Sequence, residues 1–186
     1  MDAVPQQDWT QDGFLAWAGR QEGRFEFDGV RPVAMTGGSS NHNVITLNIV
    51  AALRSSLTGS AFKVLGLGAG IETVPPKVRY PDVIVTAATF RGSALIVPGP
   101  VVLFEVVSAN SAQQDRIGKA REYAAIPTVR RYVLVESTAV GVTVLSRGGA
   151  DEPWTAITLM DDDVLELPEM GVSIPLPVVY AESDFD

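Results

Sequence analysis

Val101-Val102-Leu103-Phe104-Glu105-Val106-Val107 sets six apolar residues around a single carboxylate. The unbroken run from Val101 to Phe104 has the character of a strand buried on both faces, because a strand with one wet face alternates apolar and polar positions. Short β-branched runs bounded by Gly and Pro precede it, at Phe62 to Leu65, Ile71 to Val74 and Tyr80 to Thr86. After it, Ser108 to Ser111 offers N-caps for a helix from about Ala112 to Ala125, which Pro127 stops. Arg131 to Glu136 and Val140 to Ser146 read as a hairpin. Trp154 to Leu159, shorter pieces at Val164 and Val172, and a helical turn over Pro175 to Tyr180 follow. Upstream, Asp8 to Arg20 reads as a short helix, and Arg24 to Phe27 and Val30 to Thr36 as strands about the turn Asp28-Gly29. Asn41 to Leu57 is a helix, entered through the breaker and caps Gly37-Gly38-Ser39-Ser40 and closed by Gly59. Strands grouped around one helical insertion argue for an α+β class with a mixed sheet flanked by helices.

A chain of 186 residues, 46% hydrophobic and 19% charged, is one globular domain's worth. We expect a single domain over 1–186, with a core of about 20–180, an N-terminal helical extension over 1–22 and acidic C-terminal strands and tail over 148–186. No cysteine is present, which excludes disulfides, thiolate zinc sites and cysteine nucleophiles; the single histidine, His42, excludes any site needing two. No apolar run approaches a membrane span, and Met1 to Gln11 carries no Lys or Arg, so neither a membrane helix nor a signal peptide is expected and the expected location is cytoplasmic. The net charge of −8 is a C-terminal property: from Gly148 onward there are ten acids and no Lys or Arg, whereas the rest holds 14 basic and 12 acidic side chains. Within that near-neutral body, Asp115 to Arg131 carries Arg116, Lys119, Arg121, Arg130 and Arg131, a candidate local basic face that reads equally as a solvated helix.

Familiar motifs fail. Gly66-Leu67-Gly68-Ala69-Gly70-Ile71 lacks the third dinucleotide-binding glycine and runs into Pro75-Pro76 instead of a helix. Gly118-Lys119-Ala120 lacks the Ser or Thr of a phosphate loop, and no G-x-S-x-G occurs. Asp161-Asp162-Asp163 reads as a solvated turn.

What survives is a pair of carboxylates: Asp82 at the start of one apolar strand and Glu105 near the end of another. Unpaired carboxylates are scarce in buried strands because desolvating them costs several kcal/mol. If the two strands are antiparallel neighbours, the start of one lies beside the end of the other and the acids converge. At ~4 Å they repel by roughly 4 kcal/mol at an effective dielectric of about 20. A divalent cation reverses that sign, and oxygen ligands without His or Cys favour Mg²⁺ or Mn²⁺. The alternative is that Asp82 caps a turn while Glu105 pairs with an arginine such as Arg79 or Arg131.

The ordered set Phe25-Glu26-Phe27-Asp28-Gly29, the helix with His42 near its start, Arg79-Tyr80-Pro81-Asp82-Val83, Phe104-Glu105-Val106-Val107-Ser108, Asp115-Arg116-Ile117-Gly118-Lys119 with Tyr123, and Arg131-Tyr132-Val133-Leu134-Val135 resembles the Uma-two family of endonucleases. That family falls in the PD-(D/E)xK superfamily with its restriction-endonuclease-like αβββαβ core. The resemblance implies a metal-dependent endonuclease acting on nucleic acid, DNA in the first instance. It further implies Mg²⁺ (or Mn²⁺) held by Asp82, Glu105 and the Val106 carbonyl, and a homodimer, since duplex cleavage needs two sites. The superfamily's lysine sits two residues beyond the Glu, where this chain has Val107; Lys119 is the candidate the family pattern offers. Glu26 matches a family acid, and His42, Asp115, Arg116 and Arg130 are candidate substrate contacts. Each has a plainer reading: Lys119 in an exposed i,i+4 pair with Asp115, pointing away from the stripe Ile117, Ala120 and Ala124; Glu26 facing solvent; His42 capping or packing. A catalytically lapsed member of the fold, acting as a binding or assembly module, is the second reading of the whole chain.

Overall fold

The computed structural model describes residues 8–66, 68–107 and 113–185, with the side chains of 113–116 outside the description. Its framework is a six-stranded mixed sheet in the order β10-β9-β8-β7-β6-β3, formed by β3 (Lys63–Gly66), β6 (Val83–Thr86), β7 (Pro100–Val107), β8 (Arg131–Glu136), β9 (Val142–Ser146) and β10 (Thr155–Leu159). The central strands β7 and β8 are parallel, and the helix α3 (Gln113–Ala124) lies between them in the chain. All other neighbours in this sheet are antiparallel. With α2 (Ser40–Ser56) ahead of β3, the core runs α2-β3-β6-β7-α3-β8, the order αβββαβ.

Both faces of the central strands are dry, as the unbroken apolar run requires. Val83, Val85, Val102, Phe104 and Val106 face α2, the hairpin of β11 (Val164–Leu167) with β12 (Val172–Pro175), and the terminal turn α4 (Leu176–Val179). Ile84 and Leu103 face the other way, toward Tyr123 and Ile126 at the end of α3. The strand alternation therefore puts Glu105, which shares parity with Leu103, on the α3 face.

A second sheet, in the order β2-β1-β5-β4, is made of β1 (Phe25–Phe27), β2 (Pro32–Ala34), β4 (Ile71–Glu72) and β5 (Val78–Arg79). Helix α1 (Gln11–Ala18) covers it: Phe14 stacks on Phe27 at 5.2 Å, and Trp17 meets Trp9 and Phe25 edge-on. The β1–β2 turn forms about Asp28-Gly29 as its sequence indicates, with Asp28 Oδ1 accepting from the amides of Val30 and Arg31 and Gly29 at φ +94°.

One element departs from the sequence reading in a way that matters. The strand read as Tyr80 to Thr86 starts only at Val83: Val83 to Thr86 pair within the large sheet, Val78 and Arg79 within the small one, and Tyr80-Pro81-Asp82 carries the chain from one to the other. The proline, which has no amide to donate, suits such a crossing.

Candidate active site

Asp82 and Glu105 meet where the two sheets join. The antiparallel register pairs Val83 with Phe104, so the residue before β6 comes opposite Glu105. The Val106 amide donates to Asp82 Oδ2 at 2.8 Å, tying the acid to β7. Close packing fixes this corner from the other side: a Cβ on Gly66 would come within 3.0 Å of the Asp82 carbonyl oxygen. His42, in the first turn of α2, brings Nε2 to 3.2 Å from the same Oδ2. Its ring lies so close to the chain at Gly38 that a Cβ there would sit 2.5 Å from Nδ1. The hydrogen bond that His42 donates to Asp82 raises the His42 pKa against the lowering effect of burial, and the charge of Asp82 adds to the rise.

Glu105 is 7% exposed. Tyr123 donates its hydroxyl to Glu105 Oε1 at 2.7 Å, and Lys119 Nζ reaches the same oxygen at 3.3 Å. Burial pushes the Glu105 carboxyl up to about 7; Lys119 opposes the shift and the neighbouring Asp82 charge adds to it. Neither Arg79 nor Arg131 neutralises this acid: Arg131 pairs with Glu169, and Arg79 serves Glu26 and Glu122. Among the described residues, the Asp82 bonds use Oδ2 and the Glu105 bonds use Oε1, leaving the second oxygen of each without a hydrogen bond.

Lys119 lies inside the site, and the periodicity reading of α3 is overturned. Ile117 is 48% exposed, whereas Lys119, Glu122 and Tyr123, spaced to share one face, point inward. The inward face of this helix is charged, which a search for an apolar stripe cannot detect. Lys119 Nζ stands 3.3 Å from Glu26 Oε1 as well as from Glu105. Glu26 does not face solvent either; it is 7% exposed, between Lys119 and the Arg79 guanidinium, whose Nη1 donates at 2.9 Å. Arg79 donates further to both oxygens of Glu122, at 2.7 and 2.9 Å, and Lys77 and Thr73 complete the shell of that acid. Burial acts to raise the Glu122 carboxyl, but the bonds from Arg79 and Lys77 outweigh it and hold it down at about 2. The sequence reading named Arg79 within the motif Arg79-Tyr80-Pro81-Asp82-Val83 and as an alternative partner of Glu105, and did not single out Glu122; a charged residue on each of two short strands and a helix gives no periodic signal.

These groups line a cleft of about 610 Å³ that holds Glu26, His42, Asp82, Glu105, Val106 and Lys119, with Arg24 and the Gly37-Gly38 segment along its rim. Arg130 is not part of it. Its backbone aligns with Val101, four residues along β7 from Glu105, and its guanidinium donates to the Pro127 carbonyl. The side chains of Asp115 and Arg116, like the expected caps Ser108 to Ser111, lie outside the described residues.

The donor set of the cleft is two carboxylates beside a main-chain carbonyl at Val106. Among the described residues no group of three His, Cys, Asp or Glu side chains is placed to hold a metal ion. Two carboxylates and a main-chain carbonyl are hard oxygen donors, which suit a divalent cation such as Mg²⁺ or Mn²⁺. Among the described residues no helix is long and apolar enough to cross a membrane.

The Uma2 family model, described as "Putative restriction endonuclease", matches residues 11–178. An uncharacterized protein of Synechocystis sp. is 31% identical over 173 residues, covering 92% of this chain and 90% of its own. A second uncharacterized protein of the same organism is 25% identical over 135 residues, covering 70% and 76%. The crystal structure of "a putative nuclease" from Anabaena variabilis shares the fold with a TM-score of 0.75 at 14% identity, covering 93% of this chain and 98% of that one.

Proposed function

The chain belongs to the Uma2 family, and we propose that it is a divalent-metal-dependent endonuclease whose reaction centre is the Asp82–Glu105 pair. The convergence of these two acids from adjacent antiparallel strands on one cleft carries the reading. Asp82, Glu105 and the Val106 carbonyl would hold Mg²⁺ or Mn²⁺. When bound, such a cation supplies Lewis acidity, lowering the pKa of water and offsetting charge on phosphoryl oxygens.

The chain's own residues do the rest. The Val106 amide and His42 fix the Asp82 carboxylate, and the Tyr123 hydroxyl orients Glu105. Among the described residues both sets of bonds occupy one oxygen of each acid, Asp82 Oδ2 and Glu105 Oε1. Lys119 places a positive charge beside Glu105, where charge would build up on the scissile phosphate. It does so from α3, in place of a lysine at position 107. Arg24 at the rim is a candidate contact for a flanking phosphate. The substrate is nucleic acid, DNA in the first instance, and cutting both strands of a duplex calls for two such sites and hence a pair of chains.

The experiment is plasmid DNA incubated with Mg²⁺ or Mn²⁺ and the wild type, Asp82→Asn or Glu105→Gln. Metal-dependent nicking by the wild type alone is the expected outcome. Nicking that survives both substitutions refutes the site, and its absence on duplex, single-stranded and RNA substrates alike refutes the activity.

A further inference from the structure

The acids of this chain are unevenly placed. No Asp or Glu occurs from Gly29 to Ile71. Over the longer stretch from Gly29 to Phe104 there are only Glu72 and Asp82, against Arg31, Arg54, Lys63, Lys77, Arg79 and Arg91. From Gly148 onward the balance is the reverse, ten acids and no Lys or Arg. A polyanion approaching the acid-free stretch meets little repulsion.

That stretch includes α2 and β3, and it builds a second groove, of about 430 Å³, between the end of α2 and the free edge of β3. Leu57, Phe62 and Leu65 give the groove an apolar lining, and Arg54 and Lys63 are its charged groups. Both cations are exposed, and among the described residues neither is in an ion pair. Lys63 Nζ sits 4.6 Å from the centre of the Phe90 ring, a contact that places the ammonium without neutralising it. One face of α2 joins this groove to the cleft. Asn43 lines the cleft and Arg54 the groove, and between them Leu47 and Ala51 keep the same face, exposed and uncharged. The eleven residues from Asn43 to Arg54 rise by about 16 Å, the length of roughly five nucleotides along one strand of a duplex.

We propose that this groove binds an unpaired stretch of the nucleic-acid strand that is cut in the cleft, with Arg54 and Lys63 on its phosphates. The inference rests on the nuclease reading above and adds a preference to it, for duplex that carries a single-stranded flank. Charge selects the polyanion, since two cations outside any ion pair lie at the end of a helix face that bears no acid. The lining selects the unpaired form, because an apolar wall takes up the face of a base only when that face is not already stacked within a duplex.

The test measures binding of labelled DNA in EDTA by fluorescence anisotropy, with wild type, Arg54→Gln, Lys63→Gln and the double variant. The probes are a blunt duplex and the same duplex with a single-stranded flank at its 5′ or its 3′ end. Each flank has about eight nucleotides, longer than the span above at 3.4 Å per nucleotide. Both side chains are exposed and outside ion pairs, so the variants are expected to melt at the wild-type temperature. Wild type is expected to bind one flanked duplex about tenfold or more tightly than the blunt one. The double variant is expected to lose that gain, with binding of the blunt duplex kept within about twofold of wild type. Its salt slope on the flanked probe should fall by about 1.4, the counterion release of two single-strand phosphates. A gain that the double variant retains, or an equal loss on the blunt duplex, overturns the proposal, as does a wild type that binds no probe more tightly for its flank. Cleavage of the same probes with Mg²⁺ is scored separately. Groove-dependent binding by a wild type that cuts nothing sinks the nuclease reading and leaves the groove standing; cleavage with flank-independent binding does the reverse.

Discussion

Lys119 Nζ stands 3.3 Å from Glu105 Oε1, although fourteen residues separate them and one is on a helix and the other on a strand. Val107, where a strand-borne lysine would sit, is an apolar residue 8% exposed in the wall of the same cleft. The helix thus delivers the cation that the strand lacks. Lys119→Gln is expected to lower kcat by about 10²–10³, the cost of losing one donor aimed at developing charge, with KM little changed. Steady-state cleavage kinetics check this, and a loss confined to KM would make Lys119 a binding residue only.

The buried Glu105 carboxyl makes the metal-free protein sensitive to pH in a definite direction. Its folded pKa of about 7 lies above the ordinary 4.5, so the folded state binds the proton more tightly than the unfolded chain. Stability from this group is therefore full below 4.5 and is lost as pH rises through 7. Glu105→Gln, neutral at every pH, is expected to be more stable than wild type by about 3 kcal/mol at pH 8, the free energy of such a shift. Below pH 4.5 the gain should vanish. Denaturant melts at both pH values in EDTA measure it; equal stabilities at pH 8 would show that Glu105 is ionised without strain.

Glu122 works in the other sense. Arg79 and Lys77 hold its pKa near 2, below the ordinary value of 4.5, so its contribution is present above 4.5 and is lost as pH falls toward 2. Glu122→Gln leaves Arg79 with Glu26 as its one remaining carboxylate partner among the described residues and is expected to cost about 2–4 kcal/mol at pH 7, with a smaller difference at pH 3. Chemical denaturation at the two pH values is the check, and a loss independent of pH would assign the effect to packing.

Much of this architecture is legible in the residues alone. The continuous run at Val101 to Phe104 required a strand dry on both faces, the helix caps and β-branched runs around it indicated an α+β class with a mixed sheet, and the αβββαβ order came from the family resemblance. The pairing of Asp82 with Glu105 followed from one assumption, antiparallel adjacency, which the register bears out. Two things were not legible. The crossing from β5 to β6 at Tyr80-Pro81-Asp82 has no periodic signal of its own, so the strand reads as starting at Tyr80 although its pairing starts at Val83. The inward face of α3 carries Lys119 and Glu122 beside Tyr123; the stripe Ile117, Ala120 and Ala124 points Lys119 to solvent, and its partners on other elements bring it inside.

His42 reports on Asp82 directly, and as the only histidine its ring resonances need no assignment by mutation. The hydrogen bond to Asp82 raises its pKa above the ordinary 6.5. In the metal-free protein, an NMR titration is expected to show this elevation in the wild type and its loss in Asp82→Asn. An identical midpoint in both proteins would mean that the two side chains do not interact in solution.

The most direct measurement is an anomalous-scattering map of crystals soaked in Mn²⁺, for wild type and Asp82→Asn. The expected result is a single strong peak between the Asp82 and Glu105 carboxylates in the wild type, absent from the variant. A wild-type crystal with no peak there, from a preparation that cleaves DNA in the same Mn²⁺, would contradict the assignment of the reaction centre.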